Sequence, residues 1–395
     1  MSWTELSAMD SRLCFVSACL RFEAPISSLC LRHGISRKTG YKWLERYKQL
    51  GAAGLMDRSS APLTACRALP AAVTDALLAL RRARPSWGPR KLVARLSMEQ
   101  PDRVWPAAST VGDLLVREGL VTPRRRGTGE PARHAPQIEP LHVNDSWSAD
   151  FKGWFRTGDG VRCEPLTVTD NFSRYLLVSH AVPRPTFAEI KPLFIGAFRE
   201  HGLPLALRTD NGSPFASRHG LAGLTHFSVW LLKLNIWPDR IAPGRPDQNG
   251  RHERMHRTLN MEAATPRAAD IVSQQHRLDT WRVDFNTQRP HEALGQRCPA
   301  TLYEPSTRPY TETPAGWDYP SDHHKRRVNR DGYIKWQDRP LYLSEALGAE
   351  DVAISRRDDG EWQLRFRSFD LAVLEAETGK LRRSGLARSG QARTS

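Results

Sequence analysis

Near residue 144 the hydrophobic pattern of this 395-residue chain changes period. Ahead of that point apolar residues recur every three or four positions, the spacing of amphipathic helices. Beyond it, Trp147 to Phe155, Val161 to Val168 and Arg174 to Val182 alternate or run apolar between turn residues, as strands do. An all-helical front is therefore followed by a mixed α/β region, and the length predicts two to four domains.

In residues 1–60 a first helix runs through Leu13, Val16 and Leu20, and a second from about Ser27 to the stop residue Gly34. Ser36 can cap a third helix. One side of that helix is Gly40, Trp43, Leu44 and Tyr47, and the other carries Arg37, Lys38, Lys42 and Arg46. The pattern is that of a helix-turn-helix, and the basic side is its candidate DNA contact. A small bundle with a solvated basic face is the alternative. Residues 70–122 repeat the theme. Pro70 and Ala71 open a helix with Val73, Leu77, Leu78 and Leu80, the string Trp87-Gly88-Pro89-Arg90-Lys91 leads into Leu92, Val93 and Leu96, and Ser109 can cap a helix with Val111, Leu114, Leu115 and Leu120. This predicts a second helix-turn-helix, with Arg90 and Lys91 as candidate DNA contacts. Residues 123–140 read as a basic linker.

Charge supports a polyanionic partner. The chain holds 58 Lys and Arg against 43 Asp and Glu, a net +15, and residues 1–140 hold 22 of the former against 12 of the latter. No run reaches the ~18 apolar residues of a membrane helix. The stretch Leu13 to Leu20 follows Glu5 and Asp10, with no small-x-small site after it, so it does not read as a signal sequence. The expectation is a cytoplasmic bacterial protein, nucleoid-associated when bound to DNA, with no membrane partner. Cys14, Cys19, Cys30, Cys66, Cys163 and Cys298 show no metal or disulfide spacing and read as buried thiols.

Residues 141–304 predict three strands, a helix from Thr186 to His201, a strand from Pro204 to Arg208, a helix from Ala222 to Leu234, a strand from Asn235 to Ile241 and a helix from Asp247 to Ala263. Neither G-x-G-x-x-G nor G-x-x-x-x-G-K-[ST] occurs, which excludes the usual dinucleotide and P-loop chemistry. Residues 305–325 read as a linker. Residues 326–380 predict a small β-barrel of short strands, Tyr333 to Trp336, Arg339 to Leu343, Val352 to Arg356 and Trp362 to Phe366. Residues 381–395 read as a disordered basic tail.

Three acids stand out by context. Asp150 interrupts a strand-like run, Asp210 follows a strand in the turn Thr209-Asp210-Asn211-Gly212, and Glu253 lies on the helix after Pro246-Asp247-Gln248-Asn249-Gly250. Carboxylates converging on one point repel unless a cation intervenes, and hard oxygen ligands suit Mg²⁺ or Mn²⁺. Two such ions about 3.5–4 Å apart can assist both the attacking and the leaving oxygen of a phosphodiester. Taken singly, Asp210 also suits a turn former and Glu253 a surface residue.

These strings resemble the catalytic core of the DDE transposases and retroviral-type integrases, above all the bacterial insertion-sequence branch. Trp147 to Gly153 is similar to that family's W-x-x-D-F-K-G, Thr209 to Phe215 to T-D-N-G-x-x-F, Pro246 to Leu259 to P-x-x-N-G-x-x-E-R-x-H-R-T-L, and Asn286 to Leu294 to N-x-x-R-P-H-x-x-L. The resemblance implies a ribonuclease-H-like core with Asp150, Asp210 and Glu253 as a catalytic triad binding two Mg²⁺ ions. It places Lys152, Arg254 and Arg257 against DNA phosphates, and Asn249 and Gly250 in the loop before the catalytic helix. The implied reaction cuts DNA at an element's ends and joins the exposed 3′-hydroxyl to target DNA. The implied partners are double-stranded DNA at the element ends and in the target, and further copies of the chain, at least as a dimer. An accessory ATPase is left open. The chain departs from the family in having 42 residues between Asp210 and Glu253, a longer spacing than is common, in Asn260 where many relatives carry Lys, and in lacking the His/Cys zinc front of retroviral integrases. A catalytically silent DNA-binding regulator and a nuclease that cuts without joining are the rival readings. Asp170 reads as a hairpin-turn residue, and His201 and His291 as structural or DNA-contacting rather than as metal ligands.

Overall fold

The computed structural model of the chain describes residues 7–57, 69–121, 139–217, 221–242, 250–375 and 379–383. It forms two compact units, Met1–Leu69 and Pro70–Ser395.

The first unit holds α1 (Ala8–Leu20), α2 (Ile26–Arg32) and α3 (Arg37–Leu50). Ser36 caps α3 as its sequence position predicts, accepting a hydrogen bond from the Thr39 amide at 3.1 Å. Gly34 turns the chain between α2 and α3 at φ +64°. Gly40 lets the three helices close: a Cβ there would lie 2.5 Å from Cys30 Sγ and 2.9 Å from Phe15 Cζ. Phe15, Val16, Leu29, Trp43 and Leu55 form the core. Leu13 and Leu20 are not part of it and stand exposed. The inward side of α1 is instead Phe15, Val16, Ala18 and Cys19, because the larger Phe15 ring takes the core position, edge-on to His33. Cys19, Cys30, Cys163 and Cys298 are buried, whereas Cys14 is exposed and Cys66 lies outside the described residues.

The second unit opens with α4 (Ala71–Ala83), α5 (Pro89–Glu99) and α6 (Ala108–Arg117), packed through Leu77, Leu92, Leu96, Val111 and Leu115. Ser109 lies inside the first turn of α6 rather than capping it; the helix starts after Ala107, with no side-chain cap. Apart from Glu139 and Pro140, the expected basic linker lies outside the described residues.

Six strands then form one mixed sheet: β1 (Ser146–Phe151), β2 (Phe155–Arg156), β3 (Arg162–Asp170), β4 (Leu176–Val182), β5 (Ala206–Thr209) and β6 (Trp237–Arg240). The main order is β4-β3-β1-β5-β6, with β2 on the far end of β3. β1 and β4 flank β3 antiparallel, and β5 joins β1 and β6 in parallel. The period of two divides the side chains between faces. Trp147, Ala149, Leu166 and Val168 enter a core with α7 (Phe187–His201) and α8 (His226–Lys233). The alternate positions Ser148, Asp150, Thr167 and Thr169 face the other way, toward α9 (Gly250–Glu262), which packs with α10 (Ile271–Thr287) over Cys163, Leu176 and Ala181. The 17-residue α10 is an element that the sequence pattern did not announce. Its buried face starts with a polar residue, Gln274, before Leu278, Trp281 and Phe285, which weakens the apolar periodicity; Asp270, which caps it, was the usable signal.

Residues of the expected 305–325 linker are fastened to the core at their start. The Ser306 amide donates to the His201 carbonyl, and Arg308 donates to the carbonyls of Pro204, Leu234 and Asn235.

The C-terminal strands are β7 (His324–Arg327), β8 (Tyr333–Trp336), β9 (Arg339–Tyr342), β10 (Asp351–Arg356), β11 (Trp362–Phe366), β12 (Phe369–Leu374) and β13 (Leu381–Arg383). They do not close into the expected barrel. They form an open five-stranded sheet, β13-β12-β11-β10-β7, and a separate β8-β9 hairpin. The physical reason lies in the core: Leu224, Val229 and Leu232, from α8 and the turn before it, pack with Ile334, Trp336, Leu364 and Phe366. The sheet buries its apolar face against a neighbouring helix and the hairpin, so closure on itself is not needed. Apart from Leu381 to Arg383, the expected tail lies outside the described residues.

Arg208 and Asp239 pair across β5 and β6 at 2.7 Å with side chains 5% and 3% exposed. Breaking a buried pair from one side strands the other charge, at a cost of about 3–5 kcal/mol. Asp239→Ala is therefore expected to lower the urea midpoint steeply, whereas Lys335→Ala, which breaks the exposed Lys335–Asp338 pair, changes the unfolding free energy by no more than about 0.5 kcal/mol and leaves the midpoint close to that of the wild type. Equal midpoints for the two variants would refute this ranking.

Candidate active site

Asp150 lies near the end of β1 and Asp210 immediately after β5. The parallel register pairs Ser148 with Arg208, and the same offset carried two positions on sets Asp150 level with Asp210. The residues that follow each acid keep the two strand ends together. The Phe151 and Phe215 rings stack at 5.5 Å, joining the first motif to the second. The turn after β5 is closed by the Gly212 amide donating to Asp210 Oδ1 at 3.1 Å and by Asn211 donating to the Ile241 carbonyl at 2.8 Å. Both acids are half-buried at this edge of the sheet.

Glu253 is exposed in the first turn of α9, and its neighbours set its position. Thr167 is the residue across from Asp150 on β3. Its hydroxyl lies 3.2 Å from the Asp150 carbonyl, 2.7 Å from His252 Nε2 and 2.8 Å from His256 Nε2. A hydroxyl has one proton to donate and two lone pairs. With that proton on the Asp150 carbonyl, both lone pairs are left for two Nε2–H groups, the arrangement in which both imidazoles are neutral Nε2–H tautomers. The Thr169 hydroxyl can then donate to His252 Nδ1 at 3.5 Å. Burial, reinforced by His256, pushes His252 well below its ordinary value, and burial with the nearby Lys152 charge brings His256 down to about 4. These two histidines were not singled out from the sequence. The signal was their i, i+4 spacing around Glu253, a His-Glu-x-x-His string that in zinc hydrolases presents two imidazoles to one ion. Here both rings point at one threonine hydroxyl, and among the described residues no third His, Cys, Asp or Glu joins them.

The donor set of the expected triad fits a hard divalent cation in kind, since all three residues offer carboxylate oxygens and two of them sit level on adjacent strands. Among the described residues no three His, Cys, Asp or Glu side chains gather closely enough to hold one ion. Asp150 and Asp210 stand level on adjacent strands, and the helix that carries Glu253, whose preceding residues, 243–249, lie outside the described ones, is bonded through His252 and His256 to Thr167 across from Asp150.

The expected DNA contacts divide. Arg37, Lys38 and Lys42 are exposed on α3. Arg46 is turned to its own unit, donating to the Met56 carbonyl at 2.8 Å and lying over the Trp43 ring. Arg90 is exposed and pairs with Glu292, while the Lys91 ammonium donates to the Pro290 carbonyl. Arg254 and Arg257 are exposed on α9, and Lys152 is half-buried over the Phe155 ring. Asp170 has the turn role expected of it: fully buried, it accepts from the Ser173 amide and hydroxyl and from the Asn144 amide. His201 is buried edge-on to Tyr175 and Tyr303, and His291 edge-on to Phe285.

The fourth motif holds the helices. The Asn286 side chain accepts from the Leu176 amide at 2.8 Å and donates to its carbonyl at 3.0 Å, fastening α10 to β4. Glu262, the last residue of α9, accepts from Arg289, from the Trp281 indole and from the Ser86 hydroxyl. Glu262 was not singled out from the sequence, where a helical glutamate among charged neighbours carries no distinguishing mark.

Comparison with known proteins covers the same ground. Residues 140–246 and 234–299 each match a family model described as an integrase core domain, and between them contain all four motifs. Residues 11–62 match a helix-turn-helix domain and residues 39–115 a homeodomain-like domain. The chain is 30% identical over 167 residues to an uncharacterized 39.2 kDa protein of insertion element IS476 from Xanthomonas euvesicatoria, covering 40% of this chain and 43% of that one. It is 30% identical over 193 residues to an uncharacterized 31.7 kDa protein of insertion element IS407 from Burkholderia multivorans, covering 47% and 65%. The chain thus spans less than two thirds of the length of either relative. Similar solved structures include the HTLV-2 integrase catalytic core domain in complex with magnesium (15% identity, TM-score 0.31, 42% of this chain and 100% of that one) and a simian T-cell lymphotropic virus intasome in complex with PP2A regulatory subunit B56 gamma (17%, 0.35, 79% and 100%). The sequence resemblance is borne out: the chain carries an integrase core and helix-turn-helix domains and is related to insertion-element proteins. Among the described residues no helix is long and apolar enough to cross a membrane.

The buried imidazoles tie stability to pH. His256 near 4 and His291 near 3 stay neutral in the folded chain, while an unfolded imidazole takes up a proton below about 6.5. The unfolded state therefore binds more protons between these values, so stability is full above pH 6.5 and falls as the pH drops toward 4, by up to about 3 kcal/mol for His256. Thermal melting at pH 7.5 and 5.0 is expected to show this loss, and His256→Asn to reduce the difference between the two. An undiminished difference in the variant would exclude His256 as a source.

Proposed function

We propose that the protein is a transposase that binds the terminal repeats of an insertion sequence and transfers its ends to target DNA. The observation that carries this reading is the placement of Asp150 level with Asp210 while His252 and His256 seat the Glu253 helix on Thr167, the residue across from Asp150. The motifs within the residues that match integrase core models supply all of these residues except Thr167, which lies within the 140–246 match.

Asp150, Asp210 and Glu253 would hold Mg²⁺, or Mn²⁺ in its place, as two ions. When bound, such ions assist the attacking and leaving oxygens of a phosphodiester. The protein's own groups position the substrate. Arg257, exposed on the flank of α9 that carries Glu253, and Lys152, two residues after Asp150, offer cations to the flanking phosphates, and Arg254, turned from that flank, offers one to a phosphate elsewhere on the DNA. In the first step a water oxygen bonds to phosphorus and the 3′-oxygen leaves with a proton, exposing a 3′-hydroxyl. In the second that hydroxyl bonds to a target phosphorus and displaces a target 3′-oxygen. No bond to protein forms, so no Ser or Tyr nucleophile is required. The helical segments 1–60 and 70–122 act as tandem readers, and their matches at 11–62 and 39–115 support this. Residues 141–304 are the catalytic domain. Pairing two element ends calls for at least two copies of the chain.

The test is strand transfer by the purified chain from a labelled duplex carrying the element end into supercoiled plasmid, with Mg²⁺ or with chelator. Joining is expected only with the metal, and Asp150→Asn, Asp210→Asn and Glu253→Gln are each expected to lower it at least about 100-fold, the scale of losing a charge-stabilising group. Binding without cutting in wild type and variants alike would instead support a DNA-binding regulator, and cutting without joining a nuclease.

A further inference from the structure

A cavity of about 300 Å³ lies between α9, the turn from β3 to β4 and the Arg289–Ala293 segment. Arg174, Arg251, Arg254, Lys91 and Arg289 all line it. Only Arg289 is neutralised, by Glu262 at 2.5 Å. Arg174 donates to the Asn171 carbonyl, Arg254 to the Gly250 carbonyl and Lys91 to the Pro290 carbonyl. Among the described residues none of these three, nor Arg251, forms an ion pair. Two acids border the cavity. Asp170 is engaged by Ser173 and Asn144, and Glu292 by Arg90.

The groups around the cavity register its positive field. Burial, then Arg251 and Arg254, brings Arg174 down to about 10 against the opposing pull of Asp170. Burial and then Arg289 bring Lys91 to about 8, with Glu262 and Glu292 opposing. Burial, then Lys91, Arg289 and Arg174 together, hold His291 near 3. Glu139 likewise opposes the effect of the neighbouring guanidinium groups on Arg251. Cations that repel one another with no carboxylate in ion-pair contact destabilise a fold, and an anion of matching geometry relieves the cost. Guanidinium groups match the oxygens of a phosphate in particular.

The cavity is distinct from the acidic edge. Arg251, Arg254 and Thr258 follow one another at i, i+3 and i+7 along one flank of α9. At about 100° per residue Glu253 stands on the opposite flank. Lys91 reaches the cavity from α5, so the site joins the second helical segment to the core.

We propose that this cavity binds a phosphate group through Arg174, Arg251 and Arg254, with Lys91 completing it from α5, and that the group is a backbone phosphate of bound DNA. The DNA source rests on the transposition reading; the phosphate chemistry does not. Free inorganic phosphate shares that chemistry and is separated from DNA by the test.

Two measurements on the full-length chain decide. The first is the salt dependence of duplex affinity, whose slope falls by about one for each phosphate contact removed. The second is the melting temperature in inorganic phosphate against chloride at equal ionic strength. Arg251→Gln and Arg254→Gln are compared with wild type, singly and together, after circular dichroism shows each folded. Arg251→Lys keeps the charge. For a DNA phosphate held jointly, Arg251→Gln lowers the slope, the double variant lowers it by about one in total rather than two, and Arg251→Lys preserves it. A melting gain in phosphate that disappears in Arg251→Gln, with the slope unchanged, keeps the phosphate site and overturns its DNA source. Unchanged slope and no phosphate-dependent gain in any folded variant or wild type overturn the proposal. A wild-type chain that binds no duplex refutes the transposition reading and the DNA source, while the phosphate arm still judges the cavity. Normal strand transfer with variant slopes equal to wild type refutes the DNA site alone.

Discussion

The Thr167 hydroxyl is the point on which the arrangement of the acidic edge depends. It touches both β1, through the Asp150 carbonyl, and α9, through two imidazoles. Its place follows from strand alternation. Leu166 and Val168 fill the core beneath α7, so Thr167 and Thr169 must face α9. A β-branched threonine suits the strand as valine would, but only the hydroxyl can hydrogen-bond to both imidazole Nε2 atoms. Asp150 and Glu253 are therefore positioned by a contact that neither makes with its own carboxylate.

The same helix is held at its other end by a different device. Glu262 closes α9 and gathers Arg289, Trp281 and Ser86, while Asn286 fastens the companion helix α10 to both backbone groups of Leu176. The N-terminal half of α9 is fixed to the sheet by neutral imidazoles and its C-terminal end to neighbouring chain by a carboxylate. A helix fastened by side-chain hydrogen bonds at both ends keeps its exposed acid in a defined place without burying it.

Much of this was legible in the sequence because the period changes are sharp. The strands from Trp147 to Val182, the helix capped by Thr186 and the strand before Asp210 appear within a few residues of their expected places. Ser36 was readable because its hydroxyl can cap only one helix. What was not legible depended on tertiary partners. Gln274 satisfies its amide against Ala263 and so sits in an α10 face that reads as polar. The C-terminal strands were visible, but their failure to close depends on Val229 and Leu232 of a distant helix. Arg46 and Lys91 look like free cations in a linear pattern, and their carbonyl partners, at Met56 and Pro290, come from tight packing rather than spacing. Glu253 was identifiable from its motif, whereas the histidines that seat it draw their role from Thr167, 85 and 89 residues away.

The net charge of +15 is accordingly a poor measure of what the chain offers an anion. Arg208, Arg289 and Arg84 are matched by Asp239, Glu262 and Asp284 and serve the fold. The informative cations are those that line the cavity without an ion-pair partner, and on α9 these, the half-buried Arg251 and the exposed Arg254, fall on one flank while Glu253 occupies the other. A helix divided in this way can face a polyanion on its basic flank without bringing that charge onto its acid. The separation matters because a carboxylate surrounded by guanidinium groups would be neutralised by them and lost to any cation. Arg251 and Arg254, two positions before and one position after Glu253, are turned from it by the 3.6-residue period, and of the α9 arginines only Arg257, four positions on, shares its flank.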